Sequence, residues 1–81
     1  MFLTIATPKK IIFEGPIHQV TLPGGGGNFQ VLKNHAPITS TLVPGLVTYS
    51  NADSIYELMI EKGVAEVSNN VINLLCSPKI K

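Results

Sequence analysis

The sequence predicts an all-β domain, a sandwich or a barrel, and three features carry that expectation. Short runs rich in Val, Ile, Thr, Tyr and Phe recur along the chain, and turn residues separate them at a spacing of roughly eight to twelve residues. Several runs alternate apolar and polar positions, the period-two pattern of a strand with one buried face. No window keeps apolar residues at i, i+3, i+4 and i+7 long enough for a helix, because Pro and Gly interrupt too often.

Taken in order, Phe2–Ala6 is a β-rich run that stops at Thr7–Pro8, and Ile11–Phe13 is a second that stops at Glu14–Gly15–Pro16. Ile17–Leu22 alternates, with His18, Val20 and Leu22 on one face and Ile17, Gln19 and Thr21 on the other; it ends at Pro23 and the four glycines Gly24–Gly27. Asn28–Leu32 is a short strand broken at Lys33–Asn34. Ile38–Val43 runs to the Pro44–Gly45 turn, and Leu46–Ser50 leads to the polar turn Asn51–Ser54. Ile55–Ile60 places Tyr56, Leu58 and Ile60 on one face. Gly63 is expected to break the chain before Val64–Val67. Asn69–Asn70 reads as a hairpin turn, since Asn tolerates positive φ, and Val71–Cys76 closes the domain before Pro78. Strands adjacent in sequence are expected to pair as antiparallel hairpins, in two sheets packed about 10 Å apart.

The 81 residues form one domain, residues 1–81, with no linker or internal repeat. A chain of this size buries roughly 60% of its unfolded surface, which leaves a small core. Hydrophobic residues make up 44% and charged residues only 14%, against about 25% charged in typical domains. Such a surface offers neutral and apolar area to a partner. The net charge of +1 excludes the basic footprint of a nucleic-acid binder; Lys9–Lys10 and the Lys79–Lys81 end read as solvated termini of runs. A single cysteine, Cys76, permits no intramolecular disulfide. The start Met1–Ile5 does not look like a signal peptide, and no apolar run approaches the ~20 residues of a membrane span, so a cytosolic protein is expected.

Chemistry is searched for in the same residues. Gly24–Gly27 lacks the Lys and Ser/Thr of a phosphate loop and runs into a strand, so it reads as a mobile connection or a docking tip. His18 is expected to be a partly buried structural residue, and His35 lies in a loop before Ala36–Pro37. Neither finds further ligands at metal-binding spacing. Cys76 continues the Ile72 and Leu74 face, as an inert core residue would. Glu57, Glu61 and Glu66 read as outward-facing strand charges. No metal, cofactor or small-molecule ligand is expected, and the residues alone indicate a binding or structural module, not an enzyme.

An ordered series of motifs goes further: Leu3–Pro8, Phe13–Glu14–Gly15, Val20–Gly24, Phe29–Leu32, His35–Ala36–Pro37–Ile38, Leu42–Gly45, Gly63–Val67 and Asn70–Leu75. In order and spacing this resembles the amino-terminal domain of the epsilon subunit of F-type ATP synthases (called delta in mitochondria). The resemblance implies a flattened two-sheet antiparallel β-sandwich of about ten short strands. It implies a non-catalytic central-stalk subunit that couples rotation of the membrane c-ring to the gamma subunit during proton-driven ATP synthesis. It implies a peripheral place on the cytoplasmic side of the bacterial inner membrane, with membrane association only through the complex. By the same resemblance Gly25, Gly26, Gly27, Asn28 and Phe29 form the c-ring contact loop, and His35, Ser40, Glu61 and Glu66 face gamma. The chain departs from the family pattern at Asn28 (often acidic), Gln30 (often Gly), Lys33–Asn34 (usually Pro-Gly) and Lys62–Gly63 (usually two glycines). Asn28 is therefore expected to offer hydrogen bonds where relatives offer an ion pair, and Asn34 to take the left-handed conformation. Family members often continue into two helices that sense ATP and inhibit. A chain ending at Lys81 is expected to do neither. The rival reading is a β-sandwich adhesion or carbohydrate-binding module, for which the aromatic content is thin: no Trp, two Tyr and three Phe.

Overall fold

The computed structural model describes residues 1–79, so the expectation about Lys81 lies outside the described residues, while Lys9, Lys10 and Lys79 are exposed. Eight strands follow one another: β1 (Phe2–Ala6), β2 (Ile11–Pro16), β3 (Gln19–Gly24), β4 (Gly27–Val31), β5 (Ile38–Leu42), β6 (Gly45–Ser50), β7 (Ile55–Ser68) and β8 (Val71–Pro78). The architecture is the expected all-β sandwich, with eight strands in place of about ten. The difference lies mainly in β7, which continues through Gly63 as a single strand of 14 residues.

Two sheets share that strand. Its first half, Ile55–Ile60, pairs antiparallel with β6, which pairs with β3, which pairs with β4. Its second half pairs with β5 on one side and β8 on the other. β8 then pairs with β1, and β1 with β2. The β1–β8 ladder is parallel, which departs from the expected all-antiparallel pairing: the first and last strands lie side by side, and the rest of the chain is the crossover that a parallel pair requires. A single bridge, Gly24 with Leu42, joins β3 to β5 and closes one corner of the sandwich.

A β-bulge in β7 lets one strand serve both sheets. Ile60 pairs with Pro78 and Lys62 with Ser77, so Glu61 is the extra residue. Side chains alternate faces with period two, and one inserted residue reverses the parity. Before the bulge the inward positions are even (Tyr56, Leu58, Ile60); after it they are odd (Gly63, Ala65, Val67). An unbroken alternation would carry Lys62, Val64 and Glu66 into the core. Gly63 is needed for a different reason than a chain break: a Cβ there would lie 2.9 Å from the Leu75 carbonyl oxygen and 3.0 Å from the Cys76 Cβ.

The core between the sheets contains Leu3, Ile5, Val20, Leu22, Val31, Val47, Ile60, Ala65, Ile72 and Leu74, all essentially without solvent exposure. Two expectations are corrected here. Ile17 is buried and His18 is exposed, the reverse of the expected faces. The strand begins only at Gln19, so the alternation does not extend back across the bend at Ile17–His18. His18 is held by its backbone, its N–H donating to the Ser50 carbonyl at 2.7 Å. The Asn expectations hold: Asn69 and Asn70 have φ of 52° and 62°, and Asn34 has φ of 66°. Both Asn69–Asn70 positions being left-handed makes the β7–β8 connection a type I′ hairpin turn.

The bulge gives a direct test. Glu61→Ala keeps the residue count and should change stability by no more than about 0.5 kcal/mol, as an exposed substitution does. Deleting Val64, beyond the bulge, turns Lys62 or Glu66 toward the core and should abolish cooperative folding or cost more than about 4 kcal/mol. Thermal melts of the two variants compare the outcomes.

Candidate functional site

The glycine-rich loop is the end of the β3–β4 hairpin. Gly25 and Gly26 occupy the turn, Gly25–Asn28 are exposed, and Gly27 has φ of 123°, a conformation open in practice only to glycine. Phe29 is half-buried behind the tip and packs against the core. It covers Gly24 so closely that a Cβ there would lie 2.9 Å from its ring. Pro23 and Gly24 are buried. The Val43 N–H donates to the Pro23 carbonyl at 2.9 Å, and a Cβ at Gly45 would sit 2.7 Å from the Pro23 Cβ. A conformationally free tip thus stands on a base fixed by the β5–β6 turn. The sequence identified the tip but not the brace. The signal was the pair of Pro-Gly steps, Pro23–Gly24 and Pro44–Gly45, which read separately as turns.

The four residues expected to face gamma do not form one cluster. His35 is half-buried in the β4–β5 loop, its Nδ1 lying 2.7 Å from the Ala36 carbonyl, which the Nδ1-protonated ring satisfies as donor. Its loop is tied to the β7–β8 turn: the Asn34 N–H donates to Asn70 Oδ1 at 2.7 Å, and Asn70 Nδ2 donates to Asn34 Oδ1 at 3.2 Å. Ser40 pairs with Ala65 on the inward side of β5, while Glu66 pairs with Thr39 and Asn73 on the outward side. Glu61 is the exposed bulge residue near the other end of the sheet.

The outward side of this second sheet holds a feature the sequence reading did not isolate. Val64, Leu75, Ala6 and Ile11 lie in register across β7, β8, β1 and β2, and Leu75 and Ile11 are more than half exposed, at 54% and 56%. The signal was present in Val71–Cys76, where apolar residues occupy outward as well as inward positions.

Among the described residues no acid, base and nucleophile are brought together in a pocket. Among the described residues no three His, Cys, Asp or Glu side chains approach closely enough to hold a metal ion. A depression of about 400 Å³ lined by Pro8, Leu42, Lys62, Val64, Leu75 and Cys76 is mostly apolar and brings no acid to a base. Cys76 is buried and unpaired, and burial pushes its thiol pKa up, opposite to the shift of a reactive thiolate. Phe13, Tyr49 and Tyr56 stack on one another, with centroids 4.7 to 5.6 Å apart, and so form no exposed sugar-stacking platform. No helix among the described residues is long and apolar enough to cross a membrane.

Comparison with known proteins settles the family. A family model described as the ATP synthase, Delta/Epsilon chain, beta-sandwich domain matches residues 1–80. The chain belongs to this family. It is 37% identical over 71 residues to an ATP synthase epsilon chain of Bradyrhizobium sp. (strain ORS 278), a match covering 88% of this chain and 53% of that one. With an ATP synthase epsilon chain of Leptospira borgpetersenii serovar Hardjo-bovis (strain JB197) it shares 30% identity over 73 residues, covering 90% and 58%. The chain thus spans about half the length of the curated epsilon chains it matches. The fold superposes with a TM-score of 0.85 on a chain in the cryo-EM structure of the Euglena gracilis mitochondrial ATP synthase, OSCP/F1/c-ring in rotational state 1, at 22% identity, covering 98% of this chain and 54% of that one. A chain in the central stalk/c-ring structure of the Tetrahymena thermophila mitochondrial ATP synthase gives a TM-score of 0.81 at 16% identity, covering 95% and 63%. At those identities the agreement is one of delta/epsilon fold.

Two outcomes test the site. Gly25→Ser at the open tip should leave the melting midpoint nearly unchanged, whereas Gly24→Val, driven into Phe29, should cost about 1–3 kcal/mol. Alkali should destabilise the domain. The folded pKa values of Cys76 and Tyr49 are raised, mainly by burial, so above the ordinary thiol pKa the unfolded chain loses protons that the folded one keeps. Stability present below about pH 9 should therefore fall as pH rises further, and Cys76→Ala should flatten the first part of that fall in pH-dependent melts.

Proposed function

We propose that this domain is a non-catalytic central-stalk element of an F-type ATP synthase, seated between the c-ring and the gamma subunit and coupling their rotation during proton-driven ATP synthesis. The observation that carries the reading is the exposed, braced β3–β4 hairpin end in a chain whose family is the delta/epsilon β-sandwich. Gly25, Gly26, Gly27 and Asn28 meet the polar loops of the ring, with Phe29 fixing the hairpin behind them. Glycines let the backbone lie close to the ring, and Asn28 contributes hydrogen bonds without charge.

Gamma takes the side of the domain that carries Glu66, with Glu61, Ser40 and His35 at its margins. Torque passes as compression and shear through paired strands, and no bond is made or broken in this subunit. The domain works peripherally on the cytoplasmic face of the bacterial inner membrane and reaches it only through the complex. Nucleic acid, metals and small-molecule cofactors have no part in the proposal. ATP sensing and inhibition are assigned to no part of these 81 residues.

The test is co-expression with the gamma subunit of the same genome, followed by size-exclusion chromatography with mass analysis. A one-to-one complex is expected, weakened at least tenfold by Glu66→Lys and unaffected by Glu57→Lys on the other sheet. A chain that never co-elutes with gamma overturns the proposal.

A further inference from the structure

The outward side of the β5–β7–β8–β1–β2 sheet is organised in rows that cross the strands. One row is Lys62 and Ser77; the next is Thr41, Val64, Leu75, Ala6 and Ile11; the third is Thr39, Glu66, Asn73, Thr4 and Glu14; the last is Ser68, Val71, Phe2 and Pro16. Val64, Leu75 and Ile11 in the second row and Val71 and Phe2 in the last are each at least 40% exposed. Two apolar bands therefore flank an acidic one, with a lysine beyond. An apolar band crossing four strands is the kind of exposed surface that another protein covers.

The spacing is self-complementary about one axis. Lys62 and Glu66 stand two residues either side of Val64, on the same face of the same strand. A two-fold axis parallel to the sheet and about 5 Å outside it, running along the Val64–Leu75–Ala6–Ile11 row, lays that row on its own copy. The same rotation brings Lys62 of each chain opposite Glu66 of the other, so the charge pair is made twice, as an isologous interface requires. Two sheets packed face to face accept this arrangement with their strands crossed by about 30°. The parity reversal at Glu61 is what puts Lys62, Val64 and Glu66 on this outer face together.

We infer that the free chain forms a symmetric homodimer through this face, with Val64, Leu75, Ala6 and Ile11 at its centre and reciprocal Lys62–Glu66 pairs at its edge. Five strands ~4.8 Å apart and rows ~6.8 Å apart cover roughly 20 by 20 Å on each copy. That is about 400 Å² a copy and roughly 800 Å² in total, below the range of stable interfaces, so the dimer is a weak, reversible one with a dissociation constant on the order of 100 micromolar. The inference goes beyond the coupling role and does not rest on it. Because Glu66 belongs to both surfaces, dimerisation competes with gamma and masks the apolar face of unassembled chains.

Sedimentation velocity of the purified 81-residue chain, without gamma and across a concentration series, is the test, with circular dichroism to check that each variant is folded. The expected result is a monomer–dimer equilibrium weakened at least tenfold by Lys62→Glu or by Glu66→Lys, and restored to within about threefold of the original by the two together. Leu75→Lys, exposed and therefore tolerated by the fold, should leave a monomer. A chain that stays monomeric to several hundred micromolar overturns the inference, as does a dimer indifferent to Leu75→Lys or a double variant no stronger than the single ones. Gamma binding discriminates further, since a double charge swap restores the self-pair but not a contact with a different partner.

Discussion

The bulge at Glu61 is the constraint on which the two-sheet arrangement turns. A single strand of 14 residues supplies the edge of one sheet and the middle of the other, and its inward parity must change where it passes between them. One inserted residue does this locally, leaving Ile60 on one side and Ala65 and Val67 on the other within the same core. The alternative, a loop between two shorter strands, would need more residues and would lose ladder hydrogen bonds. In a domain this small, each fully buried aliphatic side chain contributes about 1.5–3 kcal/mol. A parity error that replaced Ala65 and Val67 by Val64 and Glu66 would bury an unpaired carboxylate and remove the stabilisation at once.

The same strand connects the two ends of the domain. Gly45 at the start of β6 pairs with Ile60, just before the bulge, and the β5–β6 turn braces Pro23 at the foot of the glycine hairpin. At the opposite end, the reciprocal Asn34–Asn70 hydrogen bonds lock the β4–β5 loop to the β7–β8 turn. Strand β7 runs between these regions without a break. Load applied at the hairpin base therefore enters hydrogen-bonded ladders directly, while Gly25 and Gly26 lie beyond the end of the β3–β4 ladder, where an added Cβ would meet no neighbour.

Much of this was legible in the chain. Strand positions followed from alternation and turn residues, and Cys76 followed from its place beside Ile72 and Leu74. The Asn69–Asn70 turn followed from the tolerance of Asn for positive φ. The failures have a common cause, which is that period two is read locally whereas parity is set by partners. The change of parity after Ile60 was read as a chain break at Gly63, because in sequence a bulge and a break look alike. His18 was assigned to the face of Val20 and Leu22 because nothing in the sequence marks the bend before Gln19. The brace at Pro23, Gly24 and Gly45 required residues from three strands to meet. Of the site residues, only the hairpin group is contiguous in space; His35, Ser40, Glu61 and Glu66 were selected by resemblance, and their distribution over a loop, an inner edge, a bulge and an outer face depends on tertiary register.

The two outer faces complete the physical picture. Outside the β3–β4–β6 sheet, Thr21, Gln30, Thr48 and Glu57 make a polar row that water satisfies, with Gln30 Nε2 donating to Gln19 Oε1 across the strands and with exposed Ile55 on one side of the row and Leu46 and Met59 on the other. Outside the other sheet, apolar residues stand where the alternation would ordinarily place polar ones. A sheet needs only one apolar face to pack a sandwich, so the second apolar face contributes nothing to the core that lies on the other side of it. It costs solubility in the free chain and is useful only where another surface covers it. Its acidic row and the single lysine beyond then decide which surfaces fit, because an unpaired Glu66 or Glu14 pressed against a neutral partner would lose its hydration without compensation. In the inferred dimer, affinity on this face comes from Val64, Leu75 and Ile11, and selectivity from Lys62 and Glu66, set two residues to either side of Val64.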